Sequence, residues 1–391
     1  MSRPGRAWPI ILTGLVVWTL SVGMYRTFGV FFKPMAEELG WSRTLTSGGF
    51  AVMGLVMGLM GPLAGALADR RGPRLVVAGS GLFMGLGYAL LSRLHSVGQV
   101  YGFFFLVGLG MGSAFAPVSA AVSRWFAQGM GLALGLVSIG GGLGMMTVVP
   151  LAERLIAWWG WRPAYLVMGV LMGVGVMVAG FLMPQRKERV VIAGGEDPPA
   201  AAAMTLRQAL GTSSFWKVFM ASALGIGAAQ GIVVHLVPYI TDKGWSPAAA
   251  ALSITFMGGG DALGRLFWGG LSDRIGRKKS FVASLAIGGL AILWLMVAQG
   301  LWQIYVFAFV FGMVHGGFFP VFTALLGELY GLASLGAIMG VNQTGNTLGG
   351  ALGALGTGQL FDRTGSYQGA LVLLALTLFA ASALVLTLKE K

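Results

Sequence analysis

Three ionisable residues of this 391-residue chain, Arg26, Asp261 and Arg265, stand far from any polar segment. Each lies inside a long apolar stretch, where a charge costs about 2.5–17 kcal/mol unless it faces a partner or a protein-lined cavity. Asp261 and Arg265 are four residues apart. On a helix that spacing sets them within about 40° of each other and about 6 Å apart along the axis, close enough to pair. Two arginines against one carboxylate favour an anionic ligand, and a carboxyl group beside a cation can take up and release a proton. Other roles compete: the pair could simply tie its helix to a neighbour, and Arg26, seven residues from Lys33, could reach an outer surface by snorkelling.

Neutral polar groups form a second set. The chain has only two asparagines, Asn342 and Asn346, with Gln343 between them. At i, i+4 the asparagines share one helix face, and amides in lipid need partners. Substrate contact and interhelical hydrogen bonding compete for them. His315 sits mid-stretch ahead of Phe318 and Phe319, where it could relay protons or make a satisfied hydrogen bond. His235, near Tyr239, reads as structural. Ser113 and Phe115 fall at comparable depth, where packing and substrate contact again compete. Pro117 and Pro320 mark kinks that neighbouring helices must satisfy.

The elements that position these residues follow from composition. Hydrophobic residues make up 56% and charged ones 10% of the chain, with mean hydropathy +0.80. A soluble domain carries about 25% charged residues, so the solvent here is lipid. Twelve stretches reach the roughly 20 residues that cross a hydrocarbon core: about 8–32, 44–68, 75–91, 100–122, 130–151 and 164–183, then 215–240, 248–271, 280–297, 301–326, 336–360 and 370–388. The first is too long for a signal-peptide core. Between the sixes runs a polar linker with Arg186, Lys187 and Arg189, in which 205–210 could form a short interfacial helix with Arg207 facing water. The expected fold is an all-α membrane protein of twelve transmembrane helices in two pseudo-symmetric six-helix bundles, residues 1–184 and 214–391, joined by a cytoplasmic linker, 185–213.

Charge then orients the chain. The net charge of +13 would suggest nucleic acid in a soluble protein, but here the basic residues sit in short runs between spans. With both termini inside, inner segments hold 17 of the 26 Lys and Arg and outer loops 7, the bias of a cytoplasmic inner side. No cysteine is present, which excludes disulfides and thiolate chemistry. No Walker sequence, H-E-x-x-H or carboxylate cluster appears. Gly108-Leu109-Gly110-Met111-Gly112 lies inside a span and reads as helix packing. No enzyme, cofactor or metal is expected.

The halves repeat. Gly65-Ala66-Leu67-Ala68-Asp69-Arg70-Arg71-Gly72-Pro73-Arg74 recurs 204 residues later as Gly269-Gly270-Leu271-Ser272-Asp273-Arg274-Ile275-Gly276-Arg277-Lys278, and Gly40-Trp41-Ser42 recurs at the same offset as Gly244-Trp245-Ser246. Two copies of one six-helix unit explain a constant offset. Asp69 and Asp273 sit where a loop enters the next helix, near its positive dipole end. With Arg70 and Arg274 they could gate the inner side, or anchor the loop at an anionic lipid surface.

These paired G-x-L-[AS]-D-R-x-G-x-[RK] loops resemble the major facilitator superfamily along the whole chain. The run Phe28-Gly29-Val30-Phe31-Phe32-Lys33-Pro34, with Glu37, Glu38, Gly40, Trp41 and Ser42, is similar to the proton-linked monocarboxylate transporters and the bacterial oxalate/formate antiporters. Asp261-Ala262-Leu263-Gly264-Arg265 matches the Asp-x-x-x-Arg of the former, and Arg26 occupies the place of their first-span lysine. The antiporters use a lysine in span eleven, whereas no basic residue lies between Gly336 and Leu360. The resemblance implies a secondary transporter of a small monocarboxylate with a proton; an oxalate/formate-type anion exchanger is the first alternative and a proton-driven drug exporter the second. Arg265, Arg26, Asn342, Gln343, His315, Phe319, Phe115 and Ser113 are the expected substrate contacts, and Asp261 the proton-coupling group. The expected setting is a monomer in the cytoplasmic membrane, with lipid, proton and anion as partners and no nucleic acid.

Overall fold

In lipid a chain must satisfy its own backbone N–H and C=O groups, so apolar stretches of this length become helices. The computed structural model describes residues 8–125, 135–184, 204–331 and 335–388, without the side chains of Asp69, Ser123, Arg124, Leu335 and Gly336. The terminal Arg3, Arg6, Lys389 and Lys391, most of the linker with its Arg186, Lys187 and Arg189, the first residues of the fifth span, and the Asp69 and Arg124 side chains lie outside the described residues.

Twelve long helices are present among the described residues: α1 Trp8–Leu39, α2 Arg43–Arg71, α3 Pro73–Leu91, α4 Val97–Trp125, α5 Gly140–Trp159 and α6 Trp161–Leu182, then α8 Ser213–Asp242, α9 Pro247–Ile275, α10 Arg277–Val297, α11 Leu301–Tyr330, α12 Leu335–Thr364 and α13 Gln368–Leu386. The short α7, Leu206–Leu210, is the expected linker helix. Thr205 and Gln208 form its capping box, and Arg207 is exposed. Ten of the long helices are apolar enough to cross a membrane. The other two, α9 and α12, carry Asp261 and Arg265 or the asparagine pair, and the same polar side chains lower their hydropathy. Leu59, Leu63, Leu266, Leu352 and Val297 are each more than 60% exposed. Such an apolar exterior suits hydrocarbon, and the protein spans the membrane.

The two repeated sequence motifs have a structural cause. Gly40 and Gly244 adopt φ of 66° and 89°, the left-handed region that glycine enters freely. Two residues later Ser42 accepts from the Leu45 N–H and Ser246 from the Ala249 N–H, both at 3.2 Å. These are matching N-caps for α2 and α9. Gly72 and Gly276 close the same helices at φ 86° and 92°. α2 and α9 are each 29 residues long, and their bounds differ by 204 positions at both ends.

The chain forms two compact units, Met1–Gly194 with Ile240–Thr255, and Gly195–Tyr239 with Phe256–Lys391. In the first, α3 packs on α6 and α4, α2 on α4, and α1 on α5. In the second, α10 packs on α13 and α11, while glycines bring α9 against α11 and α8 against α12. Helix for helix, the second unit repeats the packing of the first.

Candidate functional site

The best-defined polar cluster grows out of the α9–α11 crossing. A methyl group at Gly260 or Gly264 would overlap the carbonyl oxygen of Phe309 or Met313, and one at Gly312 or Gly316 that of Met257 or Asp261. Small residues four apart on both helices thus let the two backbones touch. The approach sets His315 beside Asp261, with Nδ1 3.1 Å from Oδ1. One turn along α9, Arg265 Nε donates to Asp261 Oδ2 at 3.0 Å. Each carboxylate oxygen therefore has its own nitrogen partner. Asp261 is 2% exposed, whereas the Arg265 and His315 side chains retain 18% and 14% of their exposure. The two terminal guanidinium nitrogens of Arg265 make no hydrogen bond among the described residues. With a neutral imidazole the cluster carries no net charge, the condition under which buried ions are tolerated.

Other expected residues in the second unit have different surroundings. Phe319 packs edge-on to Phe318 at 5.8 Å and is 39% exposed. Asn342 is fully buried and spends its amide N–H₂ on Ile338 of its own helix at 3.0 Å. Its Oδ1 has no partner among the described residues, nor does either amide atom of Asn346, which is 3% exposed. Gln343, one residue around the helix, is half-buried. His235 is structural: its Nε2 contacts the Ala354 carbonyl at 3.0 Å and its Nδ1 the Tyr367 hydroxyl at 3.2 Å.

Arg26, Ser113 and Phe115 belong to the first unit. Arg26 is buried at 7% exposure, its guanidinium 5.5 Å from the centre of the Tyr25 ring. Ser113 donates to the Leu109 carbonyl of its own helix at 2.7 Å. Phe115 stands edge-on to Trp18 at 4.9 Å. The Trp18 indole N–H is buried with no partner among the described residues, a donor that spacing and charge in the sequence do not single out. Arg70, Asp273 and Arg274, expected where a loop enters the next helix, instead lie in the last turns of α2 and α9 and are exposed, so Asp273 stands at a helix C-terminus rather than a positive N-terminal end. None of the three forms an ion pair among the described residues. No group of His, Asp and Glu there is arranged to hold a metal.

The repeat isolates what is special about the cluster. At the 204-residue offset, Gly312 and Gly316 correspond to Gly108 and Gly112, and Met257 and Asp261 to Met53 and Met57. Methyl groups at Gly108 and Gly112 would likewise meet the carbonyl oxygens of Met53 and Met57, at 2.7 and 2.5 Å. The α2–α4 crossing therefore repeats one side of that contact, with Val56 and Met60 where α9 has Gly260 and Gly264. Yet the counterparts of Asp261, Arg265 and His315 are Met57, Gly61 and Met111. Two copies of one crossing exist, and only one bears charge.

The sequence profile described as "Major Facilitator Superfamily" matches residues 11–260 and 227–391. The chain is similar to monocarboxylate transporter 13 of Rattus norvegicus, at 30% identity over 98% of this chain and 89% of that protein. Similarity to monocarboxylate transporter 11 of Homo sapiens is 29%, covering 94% and 80%. Similarity to the oxalate:formate antiporter of Oxalobacter formigenes is 22%, covering 90% and 85%. The crystal structure of a bacterial homolog to the human lysosomal transporter Spinster, inward-facing and unoccupied, shares the fold with a TM-score of 0.75 at 15% identity, over 99% of this chain and 96% of that one.

Proposed function

The chain belongs to the major facilitator superfamily, whose relatives here are transporters rather than enzymes, and we propose that it moves a small monocarboxylate, of the lactate or pyruvate type, together with a proton by alternating access. Its setting is the cytoplasmic membrane with both termini inside, read from the inner excess of Lys and Arg.

The observation that carries this reading is the state of Arg265. Its Nε is committed to Asp261, which fixes the plane of the guanidinium and leaves the terminal nitrogens as a preset fork for a carboxylate. The empty Arg⁺/Asp⁻ pair is neutral, so an anion entering alone would leave a buried charge. Entry of one proton with one monocarboxylate restores neutrality, and either neutral form can be enclosed cheaply. The oxalate/formate mode of exchange is disfavoured because α12 offers no basic residue between Gly336 and Leu360.

Uptake of labelled lactate into proteoliposomes, with and without an inward proton gradient, tests the reading. The gradient should drive accumulation and membrane potential alone should not. Arg265→Lys keeps the charge but loses the fork. Charge-assisted bonds of this kind contribute about 1.5–3 kcal/mol, so lactate affinity should fall about 10–100-fold. Unchanged affinity in that variant would remove Arg265 from the site.

A further inference from the structure

We propose that Lys33 and Arg43 form a second carboxylate-binding site, and that the chain's own Asp242 fills it as a displaceable stand-in for a small carboxylate anion. Lys33 lies on α1, six residues before its end at Leu39; Arg43 opens α2 and Asp242 closes α8. All three belong to the first unit, which includes Ile240–Thr255. Lys33 Nζ stands 3.0 Å from Asp242 Oδ1, and Arg43 Nη2 donates to Asp242 Oδ2 at 2.5 Å. Each carboxylate oxygen thus meets its own cation, the arrangement in which charged donors grip a free carboxylate. The Lys33, Arg43 and Asp242 side chains keep 30%, 16% and 26% of their exposure, so the pairing is partly shielded from water yet within reach of it.

Local electrostatics favour an anion here and hold this particular one weakly. Two cations face one carboxylate; Glu37, 3.8 Å from Lys33, is 67% exposed. Arg43 stands in the first turn of α2, which holds no acidic residue, so the positive helix end adds to the field. Asp242 has the opposite setting. It is the last residue of α8, at the end of a helix where negative charge is disfavoured, and no basic residue lies in that last turn. Its own helix does not hold the carboxylate; the two cations do. A free carboxylate would meet the same donors without the opposing dipole. The internal repeat shows that the cation pair is particular to one copy. At the 204-residue offset Asp242 corresponds to Glu38, Lys33 to Val237 and Arg43 to Pro247. Glu38 accepts from Arg162 and Trp161, which follow Gly160. The matching turn at Gly365, where φ is 67° against 80° at Gly160, is followed by Ser366 and Tyr367. The second repeat therefore offers Asp242 no equivalent of Arg162, and the cations that grip it are not duplicated. In the orientation read from the Lys and Arg bias, this end of the molecule meets anions arriving from outside. The site is separate from Asp261 and Arg265, and binding there needs no transport.

Two measurements test the site. The first is calorimetric titration of sodium lactate into the purified chain carrying Arg265→Ala, which removes the other carboxylate-binding candidate. Adding Asp242→Asn keeps the size of the occupant and takes away its charge. Lactate affinity should then rise about tenfold or more, the order of one charge-assisted bond. Lys33→Gln or Arg43→Gln in the same chain should cancel the rise. Equal affinity with and without Asp242→Asn would overturn the proposal. The second measurement needs no variant at these positions. In the wild type the Lys243, Gly244 and Trp245 N–H groups donate to the Ile240 and Thr241 carbonyls. Their hydrogen exchange should quicken as lactate replaces Asp242 and releases the end of α8, with sodium chloride at equal ionic strength as the control for screening. An equal rise in chloride, or no rise with lactate, would sink the idea of a displaceable occupant. A wild type that transports no lactate would refute the proposed function, yet both binding measurements would still decide this point.

Discussion

Replacing Gly316 by alanine should damage both stability and transport, through a single methyl group. That methyl would stand closer than 3.0 Å to the Asp261 carbonyl oxygen, whereas ordinary contact begins at 3.4 Å. The obstacle is backbone, so no side chain can swing aside, and α9 and α11 must part by about 0.5 Å or more. A gap of that size forfeits about a quarter of the dispersion between the facing surfaces, and overpacking of this kind costs about 1–3 kcal/mol. The His315–Asp261 contact, now 3.1 Å, would open to about 3.6 Å, where an N–H···O contact has ceased to be a hydrogen bond. Losing that partly buried bond adds about 1 kcal/mol or more. A total of about 2–4 kcal/mol corresponds to about 4–15 °C in Tm for a unit of this size. Thermal unfolding in detergent, followed by tryptophan fluorescence, measures it. Gly259→Ala is the control, since nothing lies within 4 Å of a methyl there and the change should stay within about 0.5 kcal/mol. Equal Tm values for the two variants would refute the close-contact account of the cluster.

Asn346 makes no amide hydrogen bond among the described residues, so Asn346→Leu removes a buried unsatisfied group and should leave Tm unchanged or raised, while lactate affinity falls; retained affinity would assign the amide to packing alone. At the rim of the first unit, Glu38 accepts from Arg162 Nε at 2.8 Å and from Trp161 Nε1 at 2.5 Å, and Arg162 lies 4.4 Å over the Trp161 ring. The Arg162 hydrogen bond, chiefly, holds the Glu38 carboxyl below its ordinary value of 4.5 despite an opposing desolvation. Because the folded value is depressed, the stabilisation is present above pH 4.5 and is lost as pH falls through the folded value. The side chain is half-exposed, so Glu38→Gln should cost under about 1 kcal/mol at neutral pH, and the Tm difference from wild type should vanish in acid.

Much of the architecture was legible because lipid leaves so few choices. Apolar stretches had to be helices, and the paired loop motifs repeat because Gly40 and Gly244, and Gly72 and Gly276, serve the same turns. The Asp261–Arg265 pair could be read from spacing alone, since one helix turn fixes it. His315 could be singled out but not joined to Asp261, because the two are 54 positions apart and meet only through the glycines of α9 and α11. The glycine run in α4 reads as packing from its spacing alone. Its counterpart in α11 hides among aromatic residues and gave no comparable signal. Ser113 and Asn342 mark another limit: a hydroxyl or amide that bonds back to its own helix has the same sequence signature as one that faces a ligand.

The uncharged crossing of α2 and α4 gives this chain an internal blank. It repeats the Gly108 and Gly112 side of the α9–α11 contact, with Met57, Gly61 and Met111 where Asp261, Arg265 and His315 stand, so this crossing houses no ion, and the buried charge of the first unit is Arg26 on α1. The blank is also a workbench. Aspartate at position 57, arginine at 61 and histidine at 111, with glycine at 56 and 60 to restore the second half of the contact, would rewrite the cluster there. A gene that doubled its frame before specialising thus carries both a finished version of its polar centre and an unwritten one.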